Sequence, residues 1–280
     1  MATTAQLTEE TTSKFVQAGD IRMHYNEAGT GETVVFLHGG GPGATGWSNF
    51  VRNIGPLSEH FHVMLVDMPQ YGGSDDVVMT EPHSTVTARA VKDMLDALDI
   101  EKASLVGNSM GGAATLAFAV DHNERLNKMV LMGSGGGGVS IFDHSPSEGI
   151  KILMEVANNP SVEGLRSLFN VMLYDASFVN EELLQARYAG IVANPSHQEA
   201  RRKSNNVWRG VLADLANVTT PALIIHGRND RVVSLEGSMR LLSVLENSRM
   251  EIFNHCGHWA QFEHASLFNR MVEDFLSHDD

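Results

Sequence analysis

Cysteine is almost missing from this chain. Cys256 is the only one in 280 residues, so no intrachain disulfide can support the fold, and stability must come from a buried core. Basic residues are scarce as well, with 20 Lys and Arg against 34 Asp and Glu and a formal net charge of -14. Phosphate binding needs clustered cations, so a nucleic-acid partner is not expected, and an anionic small molecule would need a local basic residue. No apolar run reaches the roughly 20 residues of a membrane span. The start, Met1 to Glu10, has neither the basic end nor the apolar stretch of an export signal, which predicts a cytoplasmic protein off the membrane. No metal and no cofactor is expected.

What is present is an alternation of strand and helix patterns. The length suits one elaborated domain rather than two side by side. Residues 1 to 19 are polar and mostly unpatterned, which predicts a loose tail. Ile21–Tyr25 alternates with period 2, as a strand with one buried face does. Thr33–Leu37, His62–Val66, Ala103–Val106, Lys128–Met132, Ala222–Ile225 and Arg249–Phe253 are apolar runs that suit buried strands. Val86, Ala90, Met94 and Leu98 mark one helix, and about Ser266 to Leu276 a closing amphipathic one. Such alternation predicts an α/β fold with a mostly parallel central sheet flanked by helices, ligands binding at the carboxyl ends of its strands.

One stretch lacks strands. Between Gly133 and about Thr220 only helical patterns occur, opened by Ser134-Gly135-Gly136-Gly137-Gly138 and broken at Asn158-Asn159-Pro160 and Asn194-Pro195. It is read as an inserted helical cap, residues 134–215, with residues 1–133 and 216–280 forming the core. Most of its Met and Leu residues are expected to pack between helices, and some to face the cleft below.

Three loops carry chemistry. Gly107-Asn108-Ser109-Met110-Gly111-Gly112 reads as strand, sharp turn, helix, which thrusts Ser109 out as a candidate nucleophile. By itself such a motif is as easily a plain Gly/Ser turn. His38-Gly39-Gly40-Gly41-Pro42-Gly43 follows a strand and offers bare backbone N–H groups to a developing negative charge. Among 13 histidines, position selects His258 as the base, since its loop lies between the last strand and the last helix. His38 is read as a brace for the glycine loop, and His122, His144, His197 and His278 as surface residues. Asp230, just past Ala222–Ile225, completes the order Ser, Asp, His, although a lone Asp there is more often a cap. Cys256 is a poorer nucleophile candidate, because no base is better placed for it than for Ser109.

These motifs resemble the α/β-hydrolase fold over the whole chain and, within it, the meta-cleavage-product hydrolases, which split a carbon-carbon bond in ring-opened aromatic compounds. The more specific matches are Leu37 to Ala44, Gly46-Trp47-Ser48-Asn49, Gly107 to Gly112, Glu182 to Tyr188 and Cys256 to Gln261. Gln70 departs from the glycine common there, in a turn remote from the triad. The resemblance implies an oxyanion hole from the N–H groups of Gly40 and Met110. It also implies that Arg187, Asn49, Asn108 and Gly41 hold the carboxylate and 2-oxygen end of the substrate, with Trp259 beside the conjugated chain. Arg187 makes chemical sense as a bidentate cation for an acid, though alone it would pass as a surface helix residue.

The expected activity is therefore Ser-His-Asp hydrolysis of a vinylogous 1,5-diketone acid of the 2-hydroxy-6-oxohexa-2,4-dienoate type. Ketonisation comes first, and the products are 2-hydroxypenta-2,4-dienoate and a carboxylic acid. The distal group could be aryl or alkyl. Aryl is favoured, with Val232 and Val233 able to wall an apolar pocket, and a homo-oligomer is expected. A carboxylesterase on the same triad and a non-catalytic small-molecule receptor of the same fold stay open. Ser109 argues against the dehalogenases and epoxide hydrolases of this fold, which place an aspartate at the elbow.

Overall fold

The computed structural model describes residues 7–142, 144–205 and 207–278. The chain opens with α1 (Glu9–Thr12), β1 (Ser13–Ala18), β2 (Ile21–Ala28), β3 (Thr33–Leu37), α2 (Gly46–Leu57), β4 (His62–Val66), α3 (His83–Ala97), β5 (Ala103–Asn108), α4 (Met110–Asp121) and β6 (Leu126–Met132). Five helices follow without a strand between them among the described residues: α5 (Glu148–Asn158), α6 (Val162–Met172), α7 (Glu181–Ala193), α8 (Pro195–Lys203) and α9 (Leu212–Leu215). The chain then closes with β7 (Ala222–Gly227), α10 (Leu235–Val244), β8 (Ser248–Phe253), α11 (Ala260–Glu263) and α12 (Ala265–Ser277).

The eight strands among the described residues form one sheet in the order β1-β2-β4-β3-β5-β6-β7-β8. Only the β1–β2 and β2–β4 pairs are antiparallel. The β-branched and aliphatic runs of β3, β5 and β7 are buried along their whole length, as strands covered on both faces must be. Leu105, Met129 and Ile224 join Leu116 and Phe118 of α4 on one face. Val106, Val130 and Leu223 meet Phe50 of α2 and Phe268 of α12 on the other.

The expected loose tail is ordered where it is described. Residues 13–18 pair with β2 in full antiparallel register, Ser13 opposite Asn26 through Ala18 opposite Ile21, and α1 carries a reciprocal Thr8–Thr11 cap. An edge strand that buries little beyond Ala18 has almost no apolar pattern to announce it; its order comes from pairing. His197, expected on the surface, is buried: Nε2 lies 3.2 Å from the Ser74 carbonyl oxygen and 2.9 Å from Asp76 Oδ1. Its sequence neighbours are polar, but α8 lays it against the turn after β4.

Register then fixes where the loops meet. Leu37 pairs with Gly107, Asn108 with Met132, Met132 with Ile225, and Gly227 with Phe253. The segments after β3, β5, β7 and β8 therefore emerge side by side at one edge of the sheet. The helices between β6 and β7 cover that edge with an apolar cluster of their own. In it Leu165, Phe169, Met172 and Leu184 pack with Trp259 and Phe262 from the loop and helix after β8.

Candidate active site

Ser109 stands between β5 and α4 with φ 53° and ψ -110°. That conformation costs a non-glycine residue of the order of 1–3 kcal/mol and persists only where the surroundings enforce it. They do so here by close approach. A Cβ on Gly111 would lie 2.1 Å from the Leu37 carbonyl oxygen, and one on Gly107 2.5 Å from Gly111 O. The glycines that frame the elbow are thus demanded by packing, and Ser109 N is tied to Met132 O at 3.0 Å.

The side chains of Asp230 and His258 are both buried and joined by a 2.8 Å contact between Oδ2 and Nδ1. Asp230 Oδ1 accepts from the N–H groups of Val232 and Val233 at 2.7 and 3.0 Å. The cap-like turn and the imidazole partner, which compete as readings of a lone Asp, are here two oxygens of one side chain. Burial alone would raise the carboxyl, but the charge and hydrogen bond of His258, then His226 and the Val232 N–H, hold it below the usual carboxylate range. An ionised Asp230 puts the proton on His258 Nδ1 and leaves Nε2 as a base. Gly133, at φ 47°, makes room for the pair, since a Cβ there would sit 3.0 Å from His258 Nδ1 and 3.1 Å from Asp230 Oδ2. His226 Nε2 lies 3.6 Å from the same Asp230 oxygen, and its Nδ1 contacts Ser238 Oγ at 2.8 Å.

The glycine loop is braced from behind. His38 Nε2 accepts from Met68 N at 3.1 Å, which leaves Nδ1–H to donate to Gly39 O at 2.8 Å. Burial pushes its pKa down to about 4, so it stays neutral in that tautomer. Tyr71 donates its hydroxyl to Gly40 O at 3.0 Å. A Cβ on Gly40 would fall 3.0 Å from Met110 Sδ, so the two proposed oxyanion donors belong to touching segments.

Gly40, Gly41, Asn49, Asn108, Ser109, Arg187, His258 and Trp259 all line one pocket, with Gly39, Leu153, Met172 and Val232. Among the described residues, Ser109 Oγ makes no hydrogen bond to His258. Arg187 reaches down from α7, its Nε donating to Pro42 O at 2.9 Å and Nη1 to Ser48 Oγ at 2.6 Å. It is 7% exposed, forms no ion pair with a carboxylate among the described residues, and burial lowers its pKa to about 10. It remains a cation, without a counter-charge. Asn108 Nδ2 ties the elbow to Met132 O at 3.1 Å and to His258 O at 3.4 Å, and Asn49 Nδ2 donates to Thr45 O at 3.0 Å. Their Oδ1 atoms, and Trp259 Nε1, are buried without a partner among the described residues. Trp259 packs edge-on against Phe169 at 5.4 Å between ring centres, with the Arg187 guanidinium 5.9 Å from its own.

The sequence reading passed over Leu153, Met172, Ser48 and Tyr71. Ser48 lay inside a run already singled out and Tyr71 follows Gln70 in its turn, whereas nothing in the α5 and α6 patterns distinguishes the Leu and Met that face the pocket. Cys256 is buried, and burial raises its thiol far above the range in which a thiolate forms, so it is no rival to Ser109. No group of three or more metal-ligating side chains occurs among the described residues.

The profile of the alpha/beta hydrolase fold matches residues 32–265. A 2-hydroxy-6-oxo-6-phenylhexa-2,4-dienoate hydrolase of Burkholderia cepacia is 46% identical over 283 residues, spanning 97% of this chain and 99% of the relative. A 2-hydroxy-6-oxononadienedioate/2-hydroxy-6-oxononatrienedioate hydrolase of Comamonas testosteroni is 45% identical over 284 residues, 98% of this chain and 99% of the relative. Among solved structures, a meta-cleavage product hydrolase from Pseudomonas fluorescens IP01 superposes with a TM-score of 0.84 at 31% identity, covering 94% of this chain and 97% of that one.

Proposed function

The chain belongs to the α/β-hydrolase fold family and, within it, to the meta-cleavage-product hydrolases, and on that premise we propose how it cleaves a carbon-carbon bond and in which substrate. The observation that carries the reading is Arg187, a buried cation without a carboxylate partner, in the same pocket as Ser109 and His258. A substrate carboxylate supplies the missing charge. A carboxylesterase would have no use for it.

Splitting a carbon-carbon bond requires an electron sink. The dienoate enters with its carboxylate on Arg187 and its 2-oxygen near Asn49, Asn108 and Gly41. His258, held in one tautomer by Asp230, moves the 2-hydroxyl proton so that C5 is protonated and becomes sp3, leaving a 2-oxo group able to accept charge as an enolate. Ser109 then attacks the distal ketone while His258 takes its proton. The N–H groups of Gly40 and Met110 stabilise the tetrahedral oxyanion, a term of about 3–4 kcal/mol per good donor in other hydrolases. Collapse breaks the C5–C6 bond and expels the dienolate, which takes the proton held by His258 and leaves as 2-hydroxypenta-2,4-dienoate. Water, activated by His258, releases the acid from Ser109.

The relatives divide between a phenyl-substituted dienoate and a dioate at nearly equal identity, 46% and 45%, so likeness does not choose between them. The pocket lining favours the apolar group. Leu153, Met172 and Val232 are uncharged, and among the described residues Arg187 is the only permanent cation of the lining. A second carboxylate would be buried unpaired, at a cost of several kcal/mol. The decisive experiment follows the absorbance of a 6-phenyl dienoate and of the dioate, with a nitrophenyl ester alongside. The phenyl compound should lead the dioate by at least about 100-fold in kcat/KM, or about 2.7 kcal/mol. Preference for the dioate would overturn the aryl assignment, and turnover of the ester alone would overturn the dienoate.

The same reading takes residues 134–215 as the cap over a core of 1–133 and 216–280, in a cytoplasmic homo-oligomer. No helix among the described residues is long and apolar enough to cross a membrane. Ile141 and Phe142, 76% and 85% exposed, give an apolar patch suited to self-association. Light scattering after gel filtration tests the oligomer.

A further inference from the structure

Glu263 ends α11, just past the loop that carries His258, and its half-buried carboxylate does not enter the chemistry above. Oε1 accepts from Gly257 N at 2.7 Å, and Oε2 from Tyr174 N at 2.7 Å and Asp175 N at 3.2 Å. One side chain thus joins the residue before the catalytic base to the segment leaving α6, whose Met172 lines the pocket. Two further contacts run through the same place. His258 N donates to Met172 O at 2.6 Å. Gly257 is packed so tightly on that segment that a Cβ would fall 2.3 Å from Met172 O and 2.9 Å from Tyr174 N.

We propose that Glu263 is a positioning residue that makes the His258 loop and the pocket-lining end of α6 one mechanical unit, so that the seating of this part of the cap sets the position of the base. The proposal rests on the reading of His258 as that base. Burial pushes the Glu263 carboxyl above the usual carboxylate range, against the pull of its three backbone N–H donors. A charge held at a cost to the fold is poorly explained by global stability and well explained by a local geometric task.

Glu263→Gln tests it. The amide keeps the length but turns one acceptor oxygen into a donor, so one side of the bridge meets N–H against N–H. With the base displaced, kcat should fall about 10- to 100-fold on the dienoate and on a nitrophenyl ester alike. KM for the dienoate should stay within about threefold, because Arg187 is untouched, and Tm should hold within a few degrees. Stopped-flow traces should show ketonisation and cleavage slowed together. Gly257→Ala wedges the same contact from the other side and should reproduce this signature, and the double variant should lose no more than the worse single one. A folded Glu263→Gln enzyme with kcat within twofold of the parent, a raised KM with unchanged kcat, or additive losses in the double variant would each overturn the proposal. Should the parent turn over the ester but not the dienoate, the substrate reading fails while the ester kinetics still test the bridge.

Discussion

Arg187 offers the sharpest test of the substrate reading, and the structure sets both its size and its controls. The guanidinium has two duties. It faces the pocket as an uncompensated cation, and it holds the glycine loop through Pro42 O and the first turn of α2 through Ser48 Oγ. Arg187→Met keeps much of the volume and removes both. Losing a desolvated charge pair with the substrate carboxylate costs about 2–4 kcal/mol, hence roughly 30- to 900-fold in kcat/KM on the dienoate. Losing its two bracing hydrogen bonds costs about 1–3 kcal/mol, roughly 5- to 160-fold, and falls on every substrate. A neutral nitrophenyl ester measures that second part alone, so the ratio of the two losses isolates the clamp. Stability should move the other way: with burial driving the guanidinium to about 10, the free enzyme carries a cost that methionine removes, and Tm should be unchanged or higher. The product 2-hydroxypenta-2,4-dienoate should raise the Tm of the parent and not of the variant. Equal losses on dienoate and ester would refute the clamp and leave Arg187 as a brace for the cap.

Ser109→Ala should fold with a Tm close to the parent's and lose several orders of magnitude in turnover while ketonisation survives; cleavage above about a tenth of the parent rate would refute covalent catalysis. His258→Ala should slow ketonisation and cleavage together in stopped-flow absorbance, and normal ketonisation would assign that step to another group. Stability should fall in mild acid through His38 and His83, whose pKa values burial lowers to about 4 in the fold against 6.5 for an exposed imidazole. Between those values the unfolded chain holds more protons, so the contribution is complete above pH 6.5 and lost as pH falls toward 4, with a slope approaching about 2.7 kcal/mol per pH unit for two groups. Urea titrations at pH 7, 6 and 5 measure it; an unchanged midpoint would refute it, and His83→Phe should flatten it.

Much of this was legible because chemistry here follows strands. Thr33–Leu37 and His62–Val66 are strands residue for residue, and each loop singled out sits at a strand end where parallel pairing must gather it. What was not legible depends on docking. β1 has no apolar pattern and exists through pairing with β2, and His197 is buried only because α8 packs on the turn after β4. Leu153 and Met172 read as ordinary helix residues, since which side of a cap helix meets the pocket is decided by the core beneath it. Glu263 follows a run that drew notice for His258, yet two of its three bonds go to residues about 90 positions away.

The pocket also shows where the free enzyme accepts unfavourable energy. Among the described residues Arg187 has no counter-charge, and Asn49 Oδ1, Asn108 Oδ1 and Trp259 Nε1 are buried without a partner. Each such group costs of the order of 1–3 kcal/mol in the unliganded protein. On the proposed reading Arg187, Asn49 and Asn108 serve the acid end of the substrate, which brings a carboxylate for the guanidinium and a 2-hydroxyl donor for an amide oxygen, while Trp259 lies beside the conjugated chain. The binding energy recovered at one end therefore serves to fix the other against the nucleophile and to hold the 2-oxygen as the electron sink. An ester carries its leaving group next to the attacked carbon and needs no such remote anchor. That difference explains why one Ser-His-Asp set, with this polar cluster beside it, is suited to the carbon-carbon bond.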